Sequence, residues 1–183
     1  MKTISLTTPF SDDDVRALQV GDEVLVSGEV YALRDAGHRR LVELIRAGGP
    51  APFDMKGAVI YYVGPTPAPE GMVIGSAGPT TAARMDAYMP EILAAGVKAT
   101  IGKGRRSAGV IELMKKHCAV YLAAIGGTGA LLSGHITAVE TIAWEDLGTE
   151  ALRRLVVRDF PAICANDAEG NDIFKKGRNA YHR

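Results

Sequence analysis

The chain has 183 residues, 47% of them apolar and 23% charged, with 21 basic side chains matched by 21 acidic ones. That length and balance suit one domain with a substantial core, expected to span residues 1–183 as a single unit. Zero formal net charge offers no overall field to draw in nucleic acid or an anionic membrane.

No apolar run is long enough for a bilayer span, and the opening MKTISLTTPFSDDD lacks the apolar centre of a secretory signal. Neither a nucleic-acid nor a membrane partner is expected, and the cytoplasm is the expected location. Residues 3–8 read as a short strand. Asp12, Asp13 and Asp14 suit a first helical turn or a solvated loop. Val24, Val26, Val30 and Leu33 form a β-rich run that Gly28 breaks into two short strands or one bent strand. Arg34 and Asp35 follow at a strand-to-helix junction, where such a pair reads as a local salt bridge. Leu41, Leu44 and Ile45 then fall at helical spacing, and Gly48-Gly49-Pro50 stops that helix. Ala58–Val63 reads as a buried strand, and Pro65, Pro67 and Pro69 stiffen an exposed connection after it.

The next stretch, Gly75–Ser107, carries most of the chemistry. Val73 and Ile74 read as a strand end, and Thr80–Ala95 as a helix that Pro90 kinks or splits. The first amides of such a helix lack internal partners and carry partial positive charge, so a carboxylate or phosphate would settle near Thr80 and Thr81. Arg84 lies one turn later on the same face. The plainer alternative is a threonine that only caps the helix and an arginine that is only solvated. Lys103 stands between Gly102 and Gly104 after a strand at Ala99–Ile101, either facing a ligand or exposed in a turn. A P-loop does not fit, because Gly96 is one residue too far away and Gly104 replaces the hydroxyl residue. Arg105 and Arg106 read as a solvated turn.

Ser107 is placed to cap a helix reaching His117, with Ile111 and Met114 facing inwards. Ala119–Ile125 reads as a buried strand. Gly126-Gly127-Thr128-Gly129 fails the dinucleotide pattern, since Leu132 occupies the place of the third glycine, so a tight turn into a short helix is expected. His135 reads as a packed or hydrogen-bonding group rather than a ligand. Ile136–Trp144, Leu155–Phe160 and Ile163–Ala165 read as further strands, and Asn166–Asn171 as a hairpin connection. The basic tail Lys175–Arg183 is expected to fray or to meet an interface. Cys118 and Cys164, the two cysteines, sit in apolar stretches outside any metal-spacing motif, and are expected to be buried free thiols, leaving no metal ligand in this chain. Pattern alone supports α/β or α+β around one core.

The run Gly78-Pro79-Thr80-Thr81-Ala82-Ala83-Arg84-Met85-Asp86, followed by Ile101-Gly102-Lys103-Gly104, resembles the beta region of iron–sulfur hydro-lyases, the class I fumarases and tartrate dehydratases. The similarity extends over nearly the whole chain, as in a free-standing beta subunit equivalent to the C-terminal domain of single-chain class I fumarases. It implies an α/β fold, a layered β/β/α domain of the swivelling type. It also implies reversible hydration of fumarate to L-malate, with L(+)-tartrate or another hydroxy-dicarboxylate as the alternative substrate. In the resembled family a [4Fe–4S] cluster held by cysteines of the alpha region binds the substrate hydroxyl and acts as a Lewis acid.

Matched position by position, the resemblance implies that Thr80 is the catalytic base, activated by an aspartate of the alpha region. Thr81 would contact substrate, and Arg34, Arg84 and Lys103 would hold its two carboxylates. The Arg34-Asp35-x-x-His38-Arg39-Arg40 run matches a family segment whose arginine binds a carboxylate, with Asp35 and His38 orienting the loop. Ala83 departs from the pattern, which more often has glycine there. The partner implied is a cysteine-bearing alpha subunit, in a heterodimer or heterotetramer, and this chain by itself should be inactive. From a different class, a non-catalytic anion-binding module is the competing reading.

Overall fold

The computed structural model describes residues 2–181, and their order alternates strand and helix through the middle of the chain. Strand β1 (Thr3–Thr7) leads through α1 (Asp12–Ala17) to β2 (Glu23–Ala32). Helix α2 (Asp35–Arg46) then leads to β3 (Val59–Tyr61). A 3₁₀ segment (Ala82–Tyr88) and α3 (Met89–Ala94) precede β4 (Ala99–Gly102), and α4 (Ala108–His117) precedes β5 (Val120–Ala123). The chain closes with α5 (Gly129–Ser133), β6 (Ile136–Ala143), a 3₁₀ segment (Glu145–Glu150), β7 (Leu152–Asn166) and α6 (Ile173–Tyr181).

Strands β2, β3, β4 and β5 pair in that order and are parallel. β7 runs antiparallel to both β5 and β2, so these five strands close on themselves. β1 adds to β2 and β6 to β7, completing a seven-stranded sheet. Side chains alternate between two interiors, as strand periodicity requires. Val59, Tyr61, Ile101, Val120 and Leu122 point into the space enclosed by the strands with Val24, Leu155 and Phe160. Ile60, Tyr62 and Tyr121 point outwards beneath Leu41, Met85, Met89, Ile92, Val110 and Met114 of the helical layer. Two strand layers and one helical layer result, the expected β/β/α arrangement. Burial on both faces is also why Ala58–Val63 is apolar without interruption.

Several local expectations hold for local reasons. Asp12, Asp13 and Asp14 do form a first helical turn, which Ser11 caps in a reciprocal box with Asp14, and Ser107 caps α4. Gly28, at φ +102°, lies where β2 slips register against β7, so the run is one bent strand. Gly126–Thr128 does turn into a short helix. Cys164 is buried and Cys118 partly buried, and both thiols are free.

Other expectations are corrected. Val73 and Ile74 lie in irregular chain, not at a strand end. Thr80–Ala95 is split rather than kinked, and begins later than expected: a 3₁₀ segment from Ala82 gives way to α3, with Pro90 in its first turn. The two late strands are one, since β7 keeps β2 on one side while exchanging β6 for β5 on the other. Asn166–Asn171 leads into α6 rather than a hairpin, folded around the Asp167 carboxylate, which accepts from the amides of Glu169 and Asn171. The tail is helical as far as Tyr181, and its last two residues lie outside the described ones. Among the described residues no helix is long and apolar enough to cross a membrane.

Candidate functional site

In a parallel sheet every strand delivers its following loop to the same edge, and ligands gather at the carboxyl ends. Here that edge receives Arg34 after β2, Gly64 after β3, Lys103 after β4 and Gly126 after β5. Thr80 and Thr81 return to it from a long excursion. The Thr80 amide donates to the Tyr62 carbonyl at 2.7 Å, the Lys103 amide to Thr80 at 3.0 Å, and the Ala82 amide to Lys103 at 2.8 Å. Gly102 permits this approach, because a Cβ there would lie 2.8 Å from the Tyr62 ring and 3.2 Å from the Thr80 carbonyl.

This lacing overturns part of the sequence reading. The Thr80 amide is not free at a helix N-terminus; it is spent on the sheet edge. The two side chains are what remain available. Thr81 precedes the 3₁₀ segment but its hydroxyl caps nothing, and among the described residues no hydrogen bond occupies the Thr80 hydroxyl. Thr81, Arg84 and Lys103 are exposed and Thr80 is half-buried. Lys103 lies along Gly126, and among the described residues its ammonium makes no ion pair.

The arginines are held from the start of α2. Arg34 lies against Gly64, where a Cβ would come within 2.8 Å of its Nη1. Its guanidinium is 3.5 Å from Glu150 and 3.8 Å from Asp35. The adjacent Arg34–Asp35 salt bridge is thus the looser pair. Asp35 reaches instead across 49 residues to Arg84, meeting Nε at 3.0 Å and Nη2 at 2.9 Å. Glu150 also accepts from the Ala36 amide at 2.7 Å, so the first turn of α2 is satisfied by a carboxylate, which its dipole favours.

Two buried groups underpin the edge. His38, inside α2, is fully enclosed between Tyr62 and Tyr88. Its Nδ1 meets the Arg34 carbonyl at 2.9 Å, and since a carbonyl only accepts, the proton sits on Nδ1. Burial pushes its pKa down to about 4, so the ring is neutral and fixes the backbone of Arg34. Arg106 is the larger surprise. The expected solvated turn holds for Arg105, exposed over Phe174, but the Arg106 side chain has no exposure. Its guanidinium lies 5.5 Å from the Tyr62 ring and 5.6 Å from that of Tyr121, donates to the Ala82 carbonyl at 2.7 Å, and pairs with Asp86 at 3.2 Å. Asp86 in turn accepts from the Ser107 amide at 2.8 Å. Arg106 therefore bolts the Thr80–Arg84 turn to the Lys103 loop. One signal for it was an aspartate in the first loop and an arginine beside a helix-capping serine in the second.

The cysteines do not suit an iron–sulfur cluster at this edge. Cys118 precedes β5 and so lies at the opposite, amino end of the parallel strands, with its thiol against the Asp12 carbonyl. Cys164 is enclosed among the strands, and burial pushes its thiol up to about 12, far from the thiolate a cluster needs. A cluster at this site would need ligands from outside these residues.

A family model described as Fumarase C-terminus matches residues 1–177. The chain is 42% identical over 159 residues to Fumarate hydratase 2 of Leishmania major, covering 86% of this chain and 28% of that protein. It is 40% identical over 159 residues to the aerobic class I fumarate hydratase of Escherichia coli K12, covering 86% and 29%. It is 35% identical over 169 residues to a putative L(+)-tartrate dehydratase subunit beta of Methanocaldococcus jannaschii, covering 89% and 87%. The chain thus spans less than a third of those two hydratases and most of the subunit.

Proposed function

The chain belongs to the family of the fumarase C-terminal region, and from that premise we propose that it is the beta subunit of a hydro-lyase that hydrates fumarate to L-malate. The observation that carries the reading is the meeting of Arg34, Thr80, Thr81, Arg84 and Lys103 at one open edge, at the carboxyl ends of the parallel strands. Arg34, Arg84 and Lys103 suit two carboxylates, the arginines as planar forks and the lysine as a point charge.

In the dehydration direction Thr80 takes the proton from the carbon beside a carboxylate. The cations stabilise the negative charge that develops there. An alcohol is a poor base at neutral pH and needs a neighbouring group to accept its proton. No such group bonds Thr80 among the described residues, and in this reading an aspartate of the alpha subunit supplies it. The same follows for the [4Fe–4S] cluster, for which the positions of Cys118 and Cys164 are unsuited. The partner is then a cysteine-bearing alpha subunit, in a heterodimer or heterotetramer. Ile125 and Leu131, 65% and 73% exposed near the same edge, fit a surface that another chain covers.

The reading is tested by mixing purified beta and alpha chains anaerobically after rebuilding the cluster. Neither chain alone should turn over fumarate, the mixture should, and Thr80→Ala should abolish turnover while the subunits stay associated. Full activity from the beta chain alone would contradict the proposal. A second reading, L(+)-tartrate dehydration, is favoured by one observation: the chain covers 87% of the archaeal subunit bearing that name, a match in length that the hydratases lack. Rates of the reconstituted pair on fumarate, L-malate and L(+)-tartrate separate the two.

A further inference from the structure

Asp35 holds the position on Arg84 that a substrate carboxylate would need, and we propose that it is an internal stand-in for that carboxylate, displaced when a dicarboxylate binds. This rests on the reading of Arg84 as a carboxylate ligand and adds a residue that sets the affinity of the site. Arg84 donates its Nε–H to Asp35 Oδ1 at 3.0 Å, and its Nη2 lies in ion-pair contact with Oδ2 at 2.9 Å. That is the edge a guanidinium turns towards a free carboxylate.

Three features make Asp35 exchangeable. The arginine is open to solvent, with 51% of its side chain exposed against 28% for Asp35, and partly exposed pairs are weak. Asp35 has a second cation within reach, Arg34 at 3.8 Å, so a carboxylate pushed off Arg84 keeps a counter-charge. The charges also balance unfavourably for a dianion, because Asp35 and Glu150 already face Arg34 and Arg84, leaving Lys103 as the excess. Asp86, on the same turn as Arg84, is the contrast. It is tied to the Ser107 amide and to the buried Arg106, and no ligand could release it.

A stand-in and a mere orienting group predict opposite signs. If Asp35 competes with substrate, its removal tightens dicarboxylate binding; if it only aims Arg84, its removal weakens binding. The probe is succinate, a dicarboxylate with neither double bond nor hydroxyl, titrated into the free chain and its variants while nuclear magnetic resonance follows amide and arginine Nε–H signals. Asp35→Asn is expected to bind succinate about fivefold tighter than the unaltered chain, with Asp35→Ala shifting the same way. In the unaltered chain, succinate should move the Arg84 Nε–H signal and the Asp35 carboxyl carbon together. If both variants bind succinate equally, more weakly or not at all, the stand-in role is overturned. Should the variants not fold, an Asp35 carboxyl signal that ignores saturating succinate overturns it equally. Arg84→Ala separates the two levels. Succinate binding that survives this change removes the carboxylate role of Arg84 itself. Binding lost there but not improved in Asp35→Asn sinks the stand-in alone.

Discussion

Arg84 and Arg106 serve the same pair of loops in opposite ways. Arg84 lies in water with an aspartate from another element as its partner, whereas Arg106 is enclosed between two tyrosine rings and an aspartate of the neighbouring turn. Both make one ion pair, so the pair alone says nothing about role. Solvent decides it. An exposed pair is worth little and can change partner, while breaking a buried one strands a charge without water. Arg84 is suited to meet a ligand, and Arg106 to hold the surface that the ligand meets.

The contrast breaks first on stability. Arg106→Ala leaves Asp86 and the Ala82 carbonyl without their partner in the interior and should cost about 3–5 kcal/mol in urea unfolding. Arg84→Ala should cost no more than about 1 kcal/mol in the same experiment. Equal losses from the two would erase the distinction. On activity the order reverses. In the reconstituted enzyme Arg84→Ala or Lys103→Ala should lower kcat/KM about 100-fold, near 3 kcal/mol, with melting almost unchanged.

His38 sharpens the buried side of the comparison. Its folded pKa of about 4 lies below the ordinary value of 6.5, so the unfolded chain binds the extra proton first. Its contribution is complete above pH 6.5 and fades as pH falls towards 4. Unfolding free energy should drop by about 2 kcal/mol between pH 7 and pH 5 from this ring. His38→Gln should flatten that part of the profile, and an unchanged slope would clear the ring of this role. An effect as small as that of Arg84→Ala on stability is expected from Glu150→Gln. An amide oxygen can still accept from Ala36, so only the charge facing Arg34 is lost, at about 1 kcal/mol in urea unfolding. A loss as large as that of Arg106→Ala would show that the open network is as rigid as the enclosed one.

The sequence carried the site residues further than it carried their surroundings. Thr80, Thr81, Arg84 and Lys103 were proposed as site residues from one run and its likeness to a family, and the fold brings them to a single edge. Their geometry was misjudged where a local rule met a distant partner. The Thr80 amide reads as free under helix-end logic, yet the Tyr62 carbonyl takes it. Asp35 reads as paired with its neighbour Arg34, yet it meets Arg84 more closely. Arg106 reads as solvated because two adjacent arginines normally are.

What the chain's own order determined is therefore local: the caps at Ser11 and Ser107, the restart of helix at Pro90, and the apolar run that demands cover on both faces. Each follows from dihedral preference, a capping hydroxyl or side-chain polarity, which act within a few residues. Ring closure by β7, the burial of Arg106 and the choice of Asp35 as partner to Arg84 belong to the tertiary structure. A donor or a charge settles on whichever group the packed layers bring beside it, and residues far apart in the chain become neighbours only when those layers close.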